Sequence, residues 1–61
     1  MCESNVYIRK NNEDELVMEN VAAIQPLGDG RFILKGLLGE SCEIKGTLQD
    51  INLMAHKIVF E

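Results

Sequence analysis

The sequence has no tryptophan, one proline, one tyrosine and two phenylalanines. Three rings, Tyr7, Phe32 and Phe60, leave little with which to stack nucleobases, the usual device of single-stranded nucleic-acid binders. Basic residues are also scarce. Six Lys and Arg stand against ten Asp and Glu, a net charge of −4. Nucleic-acid affinity rests largely on Lys and Arg contacts to phosphate, so the balance argues against such a partner. No apolar run approaches the ~18 residues of a membrane-spanning helix, and no secretory leader is recognisable. A cytoplasmic protein with no membrane partner is expected. The two cysteines, Cys2 and Cys42, are too few for a disulfide framework.

Catalytic patterns are missing too. There is no Ser/His/Asp or Cys/His pair in a familiar context, no HxH, CxxC or HExxH spacing, and no Gly-rich loop between a strand and a helix. A chain of 61 residues also struggles to enclose a substrate pocket of about 300 Å³ or more. The protein is therefore not expected to be an enzyme.

What is present is a β pattern. Hydrophobic residues make up 46% of the chain, enough for one small domain over residues 1–61 but marginal for a monomer. Short apolar runs alternate with turns. "NVYIRK" is a strand with Val6 and Ile8 on one face. "NNED" (11–14) is a turn. "ELVM" is a second strand, ended by Glu19 and Asn20, and "VAAIQPL" a third, which Pro26 confines to an edge or a strand end. "GDG" (28–30) suits a tight hairpin. "RFILK" and "SCEIK" are the next strands. "TLQDINL" predicts a bulged strand or a turn of helix leading into one, "MAH" is a connection, and "KIVF" is the last strand. Six or seven short strands in so short a chain predict an all-β fold, a small barrel-like domain of SH3 or Sm size, closed to hide its edges or paired with a second copy.

Candidate functional residues cluster in type more than in spacing. Cys2 follows the first methionine, where a thiol has little to pack against. Its thiolate and its own backbone nitrogen can close a five-membered chelate ring. With Met1 retained, the Met1 α-amine adds a second ring through the Cys2 amide. With Met1 removed, the Cys2 α-amine takes the amide's place. Planar nitrogen and sulfur donors suit Ni(II) or Cu(II), whereas zinc prefers a tetrahedron. Two chains about a two-fold axis would supply two thiolates and two nitrogens. The metal-binding segment would then be residues 1–3, at a dimer interface. Cys42, in phase with Ile44, reads first as a buried core thiol. His56, the single histidine, reads as an exposed turn residue or as a metal ligand. Glu3 and the run Glu13, Asp14 and Glu15 read as solvated acids. The alternative function is a small RNA-binding β-barrel, with Tyr7, Arg9, Arg31, Lys35 and Lys45 on one outer face.

The opening "MCESNVY", the segments "ELVMENV", "PLGDG" and "LLGE", and the closing "INLMAHKIVFE" resemble the CooT family of small nickel-binding proteins over nearly the whole chain. The resemblance implies cytoplasmic homodimers of a small all-β fold. It implies that Ni(II) is held through the cysteine after Met1, here Cys2. It also implies a role as metallochaperone or nickel store for nickel-containing carbon monoxide dehydrogenase or its maturation proteins. It carries no ligand role to Cys42 or His56.

Overall fold

The computed structural model describes residues 3–61. The described residues form six strands and no helix: β1 (Ser4–Lys10), β2 (Glu13–Gly28), β3 (Arg31–Gly36), β4 (Ser41–Lys45), β5 (Leu48–Asn52) and β6 (Lys57–Phe60). They make one sheet in the order β4-β3-β2-β1-β6-β5. Every neighbouring pair is antiparallel except β1 with β6, which is parallel. The all-β expectation therefore holds.

Local chemistry explains the turns. β1 and β2 are joined by Asn11 and Asn12, both left-handed at φ 53° and 66°, between the paired residues Lys10 and Glu13. A two-residue hairpin whose central residues both have positive φ matches the right-handed twist of its strands. Asparagine tolerates that region because its short side chain can bond locally. The turn is thus two residues long, not four. Glu13 and Asp14 already belong to the ladder, opposite Lys10 and Arg9. Between β2 and β3, Gly28, Asp29 and Gly30 all have positive φ, at 93°, 55° and 72°, as "GDG" implied.

The two expected strands "ELVM" and "VAAIQPL" are one. β2 runs unbroken for 16 residues and changes partner halfway. Its first half pairs with β1 and its second with β3, while Val21 faces both Ser4 and Gly36. The bend falls at Asn20, whose φ is 54°, and the β1–β2 register slips beside it. A bulge of this kind bends a strand and raises its twist. Pro26 lies in the half that faces β3, two residues from the strand end, where its missing donor interrupts no second ladder.

The bend rolls the sheet around a core of Val6, Val21, Leu34, Ile44, Ile58 and Phe60, with Ile8, Val17, Met18, Ile24, Phe32 and Cys42 packed against it. The roll does not close by hydrogen bonding, because β4 and β5 are the two ends of the sheet. Instead the chain itself turns the corner. Gly46 donates to the Gly30 carbonyl at 2.8 Å, and Thr47 and Glu61 exchange two bonds of 2.9 and 2.8 Å. Barrel-like is therefore apt only loosely. β5 is a strand with a register slip between Leu48 and Asp50, the bulged form of the two expected there.

On the outside, Asp14 is shared by two cations. Arg9 Nε approaches Asp14 Oδ1 at 2.8 Å and Lys57 Nζ approaches Oδ2 at 3.0 Å. Lys57 also stands 5.0 Å from the centre of the Tyr7 ring, within cation–π range.

Candidate metal centre

Met1 and Cys2, the central residues of the expected site, lie outside the described residues. Ser4 and Asn5 define where that segment joins the fold. Ser4 begins β1 and is only 4% exposed. Asn5 carries two hydrogen bonds to distant parts of the chain. Its backbone N–H donates to the carbonyl of His56 at 2.8 Å. Its side-chain Oδ1 accepts the N–H of Asn20 at 3.1 Å. Asn20 in turn accepts a bond from the N–H of Leu37 at 3.2 Å. The start of β1, the bend of β2, the β3–β4 loop and the turn before β6 are thereby tied together at one end of the molecule.

That tie brings the backbone of His56, the single histidine, against Asn5 at the start of β1. His56 closes the turn Leu53–His56 with φ 55° and is exposed. The turn is built from its own sequence. Ala55 donates to Asn52 Oδ1 at 3.0 Å, and His56 donates to the Leu53 carbonyl at 3.3 Å. Beside it lies an open, mainly apolar groove of about 240 Å³ lined by Ser4, Val21, Ala22, Ala23, Ile24, Leu53 and Ile58. Further exposed apolar side chains flank this end: Leu53 at 63% and Met54 at 94% on the β5–β6 turn, and Leu38 at 92% on the β3–β4 loop.

Other predicted candidates fall elsewhere. Cys42 is a free thiol, half-buried on β4 opposite Leu34 and packed against the core, as its phase with Ile44 suggested. Asp14 is engaged by Arg9 and Lys57. Hydrogen bonds first from Arg9 and then from Lys57 hold its carboxyl down at about 2. Among the described residues, no three His, Cys, Asp or Glu side chains converge closely enough to hold a metal. The chain's other thiol, Cys2, stands in residues 1–2, outside the described residues. The aromatic rings are used in packing. Phe32 and Phe60 meet inside, their centroids 4.8 Å apart, and Tyr7 lies under Lys57. Three of the six basic side chains, Arg9, Arg31 and Lys57, face acidic partners.

Asn5 and Asn20 were not singled out from sequence. The available signal was Asn20 itself, a residue tolerant of positive φ inside an otherwise apolar stretch. It reads as a strand break when the strand in fact continues through it.

A sequence model of the family described as CO dehydrogenase accessory protein CooT matches residues 1–61. The fold is similar to a crystal structure of a candidate CooT from Carboxydothermus hydrogenoformans. That similarity has a TM-score of 0.87 and 25% sequence identity, and it covers 97% of this chain and 94% of that one. No protein of curated function matches the chain.

Proposed function

Since the chain belongs to the CooT family of CO dehydrogenase accessory proteins and is not itself an enzyme, we propose that it carries nickel for that enzyme. In this reading it is a cytoplasmic homodimer that holds one Ni(II) between its two chains through Cys2 of each. The nickel is cargo, to be stored and handed on to the dehydrogenase or its maturation proteins.

The observation that carries the reading is the family match over residues 1–61, with Cys2 directly behind Met1. Cys2 is attached two peptide units ahead of Ser4, a reach of about 7 Å, and His56 is bonded to the residue after Ser4. The donor types available there are a thiolate, backbone nitrogen from Met1 or Cys2, and an imidazole. Nitrogen and thiolate together suit nickel. One thiolate and one nitrogen per chain fill half a coordination plane, and a two-fold axis completes it with two of each. The exposed Leu53, Met54 and Leu38 give that end the apolar surface a second copy would cover. Affinity should fall on acidification, because protons compete for the thiolate.

Nickel titration of the wild type and Cys2→Ser, read by thiolate charge-transfer absorption and native mass, tests this. One nickel per dimer is expected for the wild type and none for Cys2→Ser. Equal binding by the two overturns the reading. His56→Asn keeps a residue tolerant of positive φ and removes the imidazole. A loss of roughly tenfold in affinity, about 1.4 kcal/mol, is expected if His56 supplies a donor, and an unchanged affinity removes it from the site.

A further inference from the structure

We propose that the outer face of β3 and β4, with Arg31, Lys35 and Lys45 around Ile33, is a docking surface for an acidic patch on a partner protein, the CO dehydrogenase that this family serves. The proposal rests on the accessory role of the chain and not on which metal it carries or where.

The strand register defines this face. Phe32, Leu34, Cys42 and Ile44 pack in or against the core. Arg31, Ile33 and Lys35 of β3 and Ser41, Glu43 and Lys45 of β4 therefore take the opposite side. Arg31 stands opposite Lys45, Ile33 opposite Glu43 and Lys35 opposite Ser41. Gly46 donates to the Gly30 carbonyl and Gly36 to that of Glu40. Those bonded pairs fix the alternation of the ladder. The three outer pairs are then the non-hydrogen-bonded kind, whose side chains come closest. Two cations directly opposite each other are unfavourable there. Glu43, the one acid of the six, offsets this in part by meeting Arg31 at 3.4 Å, with both side chains about half exposed. Lys35 and Lys45 meet no carboxylate among the described residues, whereas Arg9 and Lys57 are drawn onto Asp14.

Three cations and one acid give this face +2 in a chain of net −4, so all other residues together carry −6. The nearest acids in sequence, Asp29 and Glu40, sit in the turns before β3 and before β4. Glu40 Oε1 is occupied by the Leu38 N–H at 3.0 Å. A charge distribution split this way orients an encounter. An acidic partner is repelled by the greater part of the molecule and attracted here. The half-buried Ile33 lies at the centre, with charged side chains around it, the arrangement of an apolar contact inside a polar rim. RNA is also a polyanion, but no aromatic ring lies on this face for a base to stack on. Phe32 points inward beside Phe60, and Tyr7 lies on β1 under Lys57.

The test measures binding of the full chain, metal-free, to nickel-free CO dehydrogenase of the same organism at about 0.15 M salt. The double variant Lys35→Gln, Lys45→Gln and the single variant Lys10→Glu make the same change in net charge, the second at the exposed end of β1. The double variant should bind at least about tenfold more weakly, and Lys10→Glu should bind as the wild type does. Glu43→Gln removes the acid from the face and should tighten binding, a gain that a damaged fold would not produce. Equal weakening by the double variant and Lys10→Glu makes net charge the cause and overturns the proposal. So does absence of any binding by the wild type. A single-stranded uridine oligomer is the second probe. If the wild type binds it, the double variant does not, and neither binds the dehydrogenase, the face is an RNA surface and the proposal fails. The nickel reading is decided separately by titration of the wild type, because no step of the docking measurement requires the metal.

Discussion

The ring of Phe60 lies 4.8 Å from that of Phe32, inclined at 54°. Tilted pairs at this spacing favour the ring quadrupoles and add to the area they bury. Phe60 is the penultimate residue, yet it is 1% exposed and belongs to the core. It arrives there because β6 inserts between β1 and β5, so the last strand is paired on both sides.

Phe60→Ala should therefore cost about 3–5 kcal/mol. A domain of 61 residues has only about 3–9 kcal/mol of stability in total. The variant should be largely unfolded or lack a cooperative transition, whereas Phe32→Leu, at a half-buried position, should remain folded. Urea melts followed by far-ultraviolet circular dichroism separate the two. A cooperative transition of Phe60→Ala close to the wild-type midpoint would contradict the core assignment.

Asp14 predicts a pH dependence with a definite sign. Its carboxyl is held down at about 2, from an ordinary value of 3.8, by hydrogen bonds first from Arg9 and then from Lys57. A depressed value in the folded state means that the ionised form favours folding. That contribution is complete above the unfolded value and is lost as pH falls from about 3.8 towards 2. Wild type and Asp14→Asn should differ most in urea midpoint at neutral pH and converge between pH 4 and 2 (approximate bounds). A difference that stays constant across that range would remove Asp14 as its source.

The corner at Gly46 is the third point of test. A Cβ there would meet the Glu61 carbonyl oxygen at 2.9 Å, and that atom accepts the Thr47 N–H. Gly46→Ala must push the end of the chain away from Thr47, with an overpacking cost of about 1–3 kcal/mol. Gly30→Ala is a useful contrast. There the nearest atom is at 3.6 Å but φ is +72°, so its cost is backbone strain and not contact. Faster amide exchange at Thr47 and Glu61 should accompany Gly46→Ala alone.

Most of the fold could be read from side-chain alternation, and the exceptions lie at the bend of β2 and at the corner that governs closure. On β3, β4 and β6 the buried Leu34, Ile44, Ile58 and Phe60 lie in the phase that the alternation of the sequence indicates. β2 differs. It changes partner at Asn20, and the phase of its apolar residues changes with it, so an unbroken strand looks like two. The extent of closure was also hidden, because whether β4 and β5 pair depends on the path of Gly46 and Thr47, a corner that no local pattern describes. The site divides in the same way. Cys2 stood out because a thiol beside backbone nitrogen is chemistry within two residues. Asn5 did not, because its partners Asn20 and His56 are distant in sequence and meet it only through the bend and the parallel β1–β6 pairing. Cys42 was legible for a simpler reason, since a small apolar side chain in phase with Ile44 packs inward.

The surface around the groove offers the last prediction, and it separates assembly from metal binding. Leu53 lines the groove and is still 63% exposed, and its neighbour Met54 is 94% exposed. Neither belongs to the core cluster, so replacing them should cost the protomer little, within about 0.5 kcal/mol. If the proposed homodimer forms through this face, a charge here has to be desolvated in two symmetry-related copies. The double variant Leu53→Glu, Met54→Lys should therefore sediment as a monomer with near wild-type secondary structure. Nickel affinity should fall with the dimer, because a lone chain keeps one thiolate, and the thiolate charge-transfer band should weaken. Raising protein concentration should restore both together, since mass action couples assembly to binding. If the variant stays dimeric and binds nickel as the wild type does, the interface lies on another face. If it is monomeric and still binds with full affinity, one chain suffices and the shared site is wrong.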